Sequence, residues 1–326
     1  MIFMMSIAKR KVLITGGSGF IGANLTRCLI GQGREVRILD NFVAGTSSYL
    51  EGLPVEVIHG DIRDPDAVRN ASRGVQCVIH LAAFGSVVDS LENPAGNFDI
   101  NVRGTYITLD EARKNGVIRF ILASTGGALI GETDGPVHEN LVAKPISPYG
   151  ASKLCGEAYC GAFARSYGIE TVALRFANVY GPYSWHKKGI ITSFARAILR
   201  GDPLTIYGDG SATRDFIHVD DLCSGIVAAI DAPVRLGEVI HLATGVETSV
   251  IRIAELLQAA AGRERYPLRM SAARGGEVLH NVGSTKYARK VLGFKPTINI
   301  DAGLNSLWAW FVSHSDIGDA ERLSDS

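Results

Sequence analysis

A chain of 326 residues, 46% hydrophobic and 20% charged, is long enough for one large α/β domain or a domain with a smaller lobe. Lys+Arg and Asp+Glu balance at 33 each, which argues against nucleic acid or a membrane surface as the main partner. The five cysteines, Cys28, Cys77, Cys155, Cys160 and Cys223, are odd in number and contain no Cys-x-x-Cys. The expectation is reduced thiols in a cytoplasmic protein, without a disulfide framework or a metal site. No apolar run approaches the ~18 residues of a membrane span, and the apolar residues 1–8 lack the order of a signal peptide.

Residues 11–15 form an apolar, β-branched run that reads as a buried strand. The turn Gly16-Gly17-Ser18-Gly19-Phe20-Ile21-Gly22 follows, then helical spacing over 23–31 and a strand over 34–39 that ends in Asp40. Glycines between a strand and a helix let backbone N–H groups approach a pyrophosphate at the helix N-terminus. Gly16, Gly19 and Gly22 are spaced unlike the commoner G-x-G-x-x-G, yet strand, glycines, helix, strand and acid come in the required order. The reading is dinucleotide binding. Asp40 is placed to accept both ribose hydroxyls, and its charge would repel a 2′-phosphate, so NAD is favoured over NADP.

The alternation continues. Residues 54–59 read as a strand, and 60–65 as a turn in which Asp61 either reaches an adenine amine or caps the next helix. A strand over 76–81 closes in Ala82-Ala83-Phe84-Gly85-Ser86, where small residues admit a ligand. A long helix is expected over 93–116. Asn101 is unfavourable inside it, so it either makes a tertiary hydrogen bond or is solvated. A strand over 117–122 ends in Ala123-Ser124-Thr125-Gly126-Gly127. The prolines at 145 and 148 then break the chain, with Ser147 or Pro148 opening a helix that runs to about Tyr167. Its first turns carry Tyr149 and Lys153, four residues apart and hence on one face. An ammonium there would favour phenolate and lower the tyrosine pKa from its usual ~10, although such a pair is common on any exposed helix. With a strand over 170–174, six strand–helix alternations predict a Rossmann-type doubly wound parallel sheet.

Beyond Arg175 the texture changes. Residues 178–183 read as loop, 190–199 as helix, 204–207 and 215–219 as strands, 220–230 as helix and 238–242 as strand. Helices follow over 248–261, 284–292 and 301–312. With no long linker, the smaller C-terminal substrate-binding lobe is expected to be interleaved with the first. The boundaries read as 9–177 with 215–243 returning to it, 178–214 with 244–314 as the lobe, and a polar tail over 315–326.

Three further stretches complete a pattern: His80-Leu81-Ala82-Ala83, the run Leu174-Arg175-Phe176-Ala177-Asn178-Val179-Tyr180-Gly181-Pro182, and Thr213-Arg214-Asp215-Phe216-Ile217-His218-Val219-Asp220-Asp221. With the glycine turn, Ser124-Thr125 and the Tyr149/Lys153 pair, the chain over 11–312 resembles an extended short-chain dehydrogenase/reductase. It is most similar to the NAD-dependent nucleotide-sugar epimerase/dehydratase branch, and within it to UDP-glucose 4-epimerases. The resemblance implies that Tyr149 is the acid/base and that Lys153 holds the nicotinamide ribose. Thr125, or else Ser124, would bond the reacting sugar hydroxyl. Cofactor contacts would come from Gly16, Gly19, Phe20, Ile21, Gly22, Asp40, Asn41, Gly45, Asp61, Ile62, Leu81, Ala82, Ala83, Asn101, Ser124, Tyr149, Lys153 and Phe176. Ser86, Thr125, Asn178, Tyr207 (beside the uracil), Arg214 and Arg274 would hold a UDP-sugar, the arginines offering planar forks to the diphosphate. A homodimer through the helices at 93–116 and 148–167 is implied by likeness alone.

The chain departs from the pattern after Thr125. Dehydratases of the branch carry an Asp-Glu pair there, decarboxylating relatives a Glu and many 4-epimerases a serine, whereas this chain has Gly126 and Gly127. Lacking a second acid/base, a 4-keto sugar would turn over and take the hydride back on its other face. The expectation is therefore 4-epimerisation of a UDP-glucose/UDP-galactose-type sugar. The alternatives are a related dehydratase or reductase, or a non-catalytic NAD-binding sensor.

Overall fold

The computed structural model describes residues 11–131, 133–272 and 279–315. Twelve strands are present among them: β1 (Val12–Thr15), β2 (Val36–Asp40), β3 (Glu56–His59), β4 (Cys77–His80), β5 (Arg119–Thr125), β6 (Glu170–Phe176), β7 (Asn178–Tyr180), β8 (Leu204–Tyr207), β9 (Thr213–His218), β10 (Glu238–Leu242), β11 (Glu247–Ser249) and β12 (Leu268–Ser271). Seven of them pair in parallel in the order β10-β6-β5-β4-β1-β2-β3. Parallel strands need helical crossovers, so both faces of the sheet are covered and its central strands are mostly apolar and buried, while the edge strand β3 is largely exposed. Side chains alternate between the two faces. Val12 and Ile14 pack with Leu25, Leu29, Leu222 and Ile226 from the helices Phe20–Gly31 and Val219–Asp231. Leu13 points the other way, into a core with Val68, Leu109, Cys160 and Phe163.

The strand order reverses between β1 and β4, and an open α/β sheet binds its ligand at the carboxyl edge of such a switch point. Two features press the backbones together there. Gly16 has φ +73°, and a Cβ on it would lie 2.7 Å from the Ala82 nitrogen just past β4. The helix Pro148–Tyr167 is aimed at the same edge. Ser147 caps it by accepting from the Gly150 N–H at 3.1 Å, Pro148 opens it, and Gly168 in the left-handed region (φ 75°) ends it.

The smaller lobe has its own core, in which the helices Ile190–Arg200, Val250–Ala260 and Ile300–Ser313 pack on β8, and Trp185 stacks on Phe311 at 4.9 Å. Three expectations change. The strand read at 215–219 does not join the large sheet: β9 sits between β11 and β7, although its Ile217 and the helix after it share the core of the large sheet. Residues 178–180, read as loop, are β7, paired in parallel with β9 through Asn178–Phe216 register. Asp215 explains this small sheet. Its buried carboxylate accepts from the N–H groups of Thr244, Gly245 and Gly283 and from the Thr244 hydroxyl, knotting β9 to two other segments. The long helix read at 93–116 is Pro94–Phe98 and Thr105–Lys114 joined by a π-helical stretch, Asp99–Gly104.

Candidate active site

The glycine turn is built to take an anion. The N-terminus of Phe20–Gly31 has no side-chain cap and no acidic residue in its first turn, so its N–H groups and the positive end of its dipole stay available. A Cβ on Gly22 would lie 2.3 Å from the Gly16 carbonyl oxygen. Gly45 crosses so near that its Cβ would fall 2.3 Å from Ser18 Oγ, itself a buried hydroxyl without a partner. Asp40 accepts from Ser18 N–H at 2.9 Å and Phe42 N–H at 2.8 Å, one bond per oxygen, which leaves each oxygen an acceptor position for a ribose hydroxyl. These residues fit a dinucleotide. Phe20, Ile21, Leu81, Ala82 and Ala83 flank the same turn, and Ala82 N–H donates to Thr15 Oγ1 at 3.3 Å.

Four expected cofactor residues are otherwise engaged. Asp61 accepts four bonds: from Arg63 N and Nε on one oxygen, and from Arg63 Nη2 and Asn41 Nδ2 on the other. That fills a carboxylate's four acceptor positions, so Asp61 has none for an adenine amine, and Asn41 serves as its partner. The Arg63 guanidinium holds the Asp61 carboxyl far below the usual range. Ile62 is buried, with its side chain against Gly104 of the π-helical stretch. Asn101 makes the tertiary bonds that its awkward place suggested: it accepts from Phe84 N–H at 2.7 Å and donates to Phe84 O and Ser152 Oγ at 3.1 Å each. Both its amide hydrogens are used, so it shapes the loop after β4.

Tyr149 and Lys153 lie one turn apart as expected, with Lys153 Nζ 5.8 Å from the Tyr149 ring centre. Lys153 donates to the Ala123 carbonyl at 3.0 Å, fastening the helix to the end of β5. The expected lowering of the Tyr149 pKa is not what this geometry gives. Burial, partial for the residue as a whole, pushes the Tyr149 phenol up to about 12, while burial pushes Lys153 down to about 8 against the opposing pull of Glu157. The pair is therefore a phenol that burial holds more firmly protonated beside an ammonium that burial brings closer to losing its proton.

The proton of Ser124 is already committed, which leaves this hydroxyl only as an acceptor. It donates to Glu157 at 2.6 Å, and Glu157 also takes a fork from Arg175 at 2.8 and 2.7 Å, all three groups buried. Thr125, next along β5, is only partly buried and remains the hydroxyl at that strand end. Phe176 is buried beside it and accepts from Gly126 N–H at 3.2 Å. Glu157 was legible as the next member of the 149, 153 series, and Arg175 lies in a quoted motif. Ser90, which accepts from Tyr149 N–H at 3.2 Å, gave no sequence signal, because the short helix Val87–Glu92 that carries it was not foreseen.

The expected substrate groups are spread along the lobe edge. Ser86 caps Val87–Glu92 by accepting from Asp89 N–H. Asn178 is exposed and donates to the Asp215 carbonyl, Tyr207 ends β8 at 37% exposure, and Arg214 donates to the Thr213 carbonyl at 2.8 Å. Arg274 lies outside the described residues. An open cavity of about 370 Å³ beside this edge is lined by residues including Glu247, His280 and Val282.

Comparison with known proteins gives the family. Residues 12–245 match the model of the NAD dependent epimerase/dehydratase family. The chain belongs to that family. It is 36% identical over 308 residues to a putative UDP-glucose 4-epimerase of Methanocaldococcus jannaschii, covering 93% of this chain and 99% of that one. The UDP-glucose 4-epimerase of Thermotoga maritima, solved with UDP-glucose, superposes with a TM-score of 0.89 at 33% identity, over 94% of this chain and 99% of that one. The UDP-glucuronic acid 4-epimerase of Bacillus cereus, solved with UDP-glucuronic acid and NAD, gives 0.87 at 29% identity, over 93% and 99%. As a member of this family the chain uses NAD, and the glycine turn with Asp40 is the part of the structure that fits it. Among the described residues, no helix is long and apolar enough to cross a membrane.

Proposed function

We propose that this enzyme is an isomerase that inverts C4 of a UDP-sugar of the UDP-glucose/UDP-galactose type through a transient 4-keto sugar. One observation carries the reading: the Tyr149–Lys153 pair abuts a strand end that offers Thr125 and then two glycines. Tyr149 takes the proton of the C4 hydroxyl and later returns one. For that step it must first be the phenolate, which the Lys153 ammonium would stabilise; once it has taken the proton, the phenol is the form burial favours, so the proton is held there until the keto oxygen needs it. Lys153, tied to Ala123, sets its ammonium beside the ring and is the group that would hold the cofactor ribose and stabilise a phenolate. Thr125 steadies the reacting oxygen. Bound NAD supplies the hydride acceptor and donor. With Gly126 and Gly127 following, no side chain there can remove the C5 proton and protonate a leaving C6 oxygen, so elimination lacks its acid and base. Asn178 and Arg214, with Arg274, hold the diphosphate, and Tyr207 packs the uracil.

The neighbours name glucose and glucuronic acid sugars, so the panel of substrates decides the reading. UDP-glucose, UDP-galactose and their N-acetyl and uronic acid forms are incubated with the protein and followed by NMR. C4 inversion of at least one is expected. Absence of inversion with every sugar, with and without added NAD, ends it. The working unit is proposed to be a homodimer. Tyr106, Tyr159 and Tyr167 stand exposed on Thr105–Lys114 and Pro148–Tyr167, in edge contacts through Phe163, and so offer an aromatic face to a second copy. Light scattering of the wild type and of Tyr106→Arg reads this directly. All five cysteines are free thiols, which suits the reducing cytoplasm.

A further inference from the structure

The two glycines after Thr125 are not explained by backbone conformation. Gly126 has φ −84° and ψ −62°, which any residue adopts. Space explains them. A Cβ on Gly126 would lie 3.1 Å from His241 Cε1 and 3.2 Å from its Nδ1, and one on Gly127 would lie 3.1 Å from Asn281 Nδ2. The room that a side chain at 126 would need is taken by an imidazole arriving from β10.

That imidazole is buried and faces a chain of charged groups. Its Nε2 lies 3.5 Å from Arg175 Nη1. A guanidinium only donates, so Nε2 is the bare nitrogen and Nδ1 carries the proton. Arg175 forks Glu157, and Glu157 takes the Ser124 hydroxyl. The backbone N–H of His241 is fixed in turn by Glu139 Oε1 at 2.9 Å. Burial, with Arg175 and His138 nearby, holds the ring neutral, its pKa down to about 3. On the opposite side, the turn 126–130 presses on the helix that carries Tyr149: a Cβ on Gly150 would lie 2.2 Å from the Ala128 carbonyl oxygen. The strand end bearing Thr125 is thus wedged between His241 and the first turn of the Tyr149 helix.

We infer that His241 is a positioning residue of the Tyr149 site, lodged in the side-chain space of Gly126 and bracing, through Arg175, Glu157 and Ser124, the strand end that carries Thr125. Gly126 and His241 are then one device: neither can change alone without moving Thr125 relative to Tyr149. The consequence for turnover rests on the epimerase reading, whereas the packing of the pair does not.

The test is a double-mutant cycle of Gly126→Ala and His241→Ala, with kcat taken per bound NAD and KM measured alongside. Each single variant is expected to lower kcat about tenfold with KM changed less than about threefold, and the double variant to recover most of the loss, because the added methyl enters the space the ring vacates. Unchanged kcat in His241→Ala, or losses that simply multiply in the double variant, overturns the inference. A ring that only adds stability would lower NAD-loaded melting temperature without changing kcat per bound NAD, and that result also overturns it. Should wild-type protein invert none of the sugars, the epimerase reading fails by itself. The same cycle read by melting temperature then decides the pair: rescue supports it and additivity overturns it.

Discussion

Replacing Glu157 by Gln removes one charge from the middle of the site while keeping its shape. Glu157 and Arg175 side chains are each 5% exposed and joined at 2.7 Å, so the change leaves a guanidinium buried without its counter-charge. Breaking a buried pair by removing one partner costs ~3–5 kcal/mol, a fifth or more of the ~5–15 kcal/mol that holds a typical domain folded. Glu157 has a second effect. Its charge works against the burial that lowers Lys153, so without it the ammonium falls below its present value of about 8 and Lys153 loses its proton at lower pH. Two readings follow from one variant. The urea midpoint should drop by the equivalent of ~3 kcal/mol or more at unchanged slope. The alkaline limb of the kcat profile should move to lower pH. A loss below ~1 kcal/mol together with an unmoved alkaline limb would refute the linked network, since that is what an exposed ion pair gives. The paired replacement Glu157→Leu with Arg175→Met should recover much of the stability but not the pH profile.

Other outcomes follow from single positions. Gly16→Ala places a methyl 2.7 Å from Ala82 N in a left-handed backbone, so purified protein should carry little or no NAD by absorbance while remaining folded by circular dichroism. Lys153→Met should change the pH dependence of stability. Native Lys153 titrates at about 8 and an unfolded lysine near 10.5, so between those values the unfolded chain binds more protons and stability rises with pH. The variant should flatten that part of the melting-temperature curve, and an unaltered slope would remove Lys153 from the explanation. Ser147→Ala deletes the cap of the Tyr149 helix and should cost ~1 kcal/mol in chemical denaturation.

The large sheet was legible because its central strands are apolar and buried and its helices repeat between them. Even β10, separated from β6 by the lobe, showed as a strand and lies beside β6. The glycine turn, Asp40 and the Tyr149/Lys153 helix were legible for the same reason, since each is set by local spacing. What was not legible depends on distant partners. β9 has a strand's composition, but its sheet was set by the carboxylate of Asp215, whose donors come from 244–245 and 283. Thr125 was preferred to Ser124 in sequence, but the partner that takes the Ser124 proton, Glu157 on the Tyr149 helix, was not foreseen. Asp61 had the right place for an adenine contact, and Arg63 two residues on took its acceptor positions. The mutual effect of Tyr149 and Lys153 was inferred from proximity, whereas burial of both groups governs it. Gly126 pointed to the right chemistry by what it lacks, but the reason it is glycine, the ring of His241, lies far along the chain.

The most direct measurement of the central claim follows one hydrogen. A UDP-sugar deuterated at C4, chosen from those the protein turns over, is incubated in ordinary water and its product read by NMR and mass spectrometry. The expected product is inverted at C4, keeps the deuterium on C4 and keeps its C6 substituent, because one hydride leaves and returns while Tyr149 shuttles only the hydroxyl proton. A 6-deoxy-4-keto product with solvent hydrogen at C5, or an inverted product whose label has washed out, would contradict the reading.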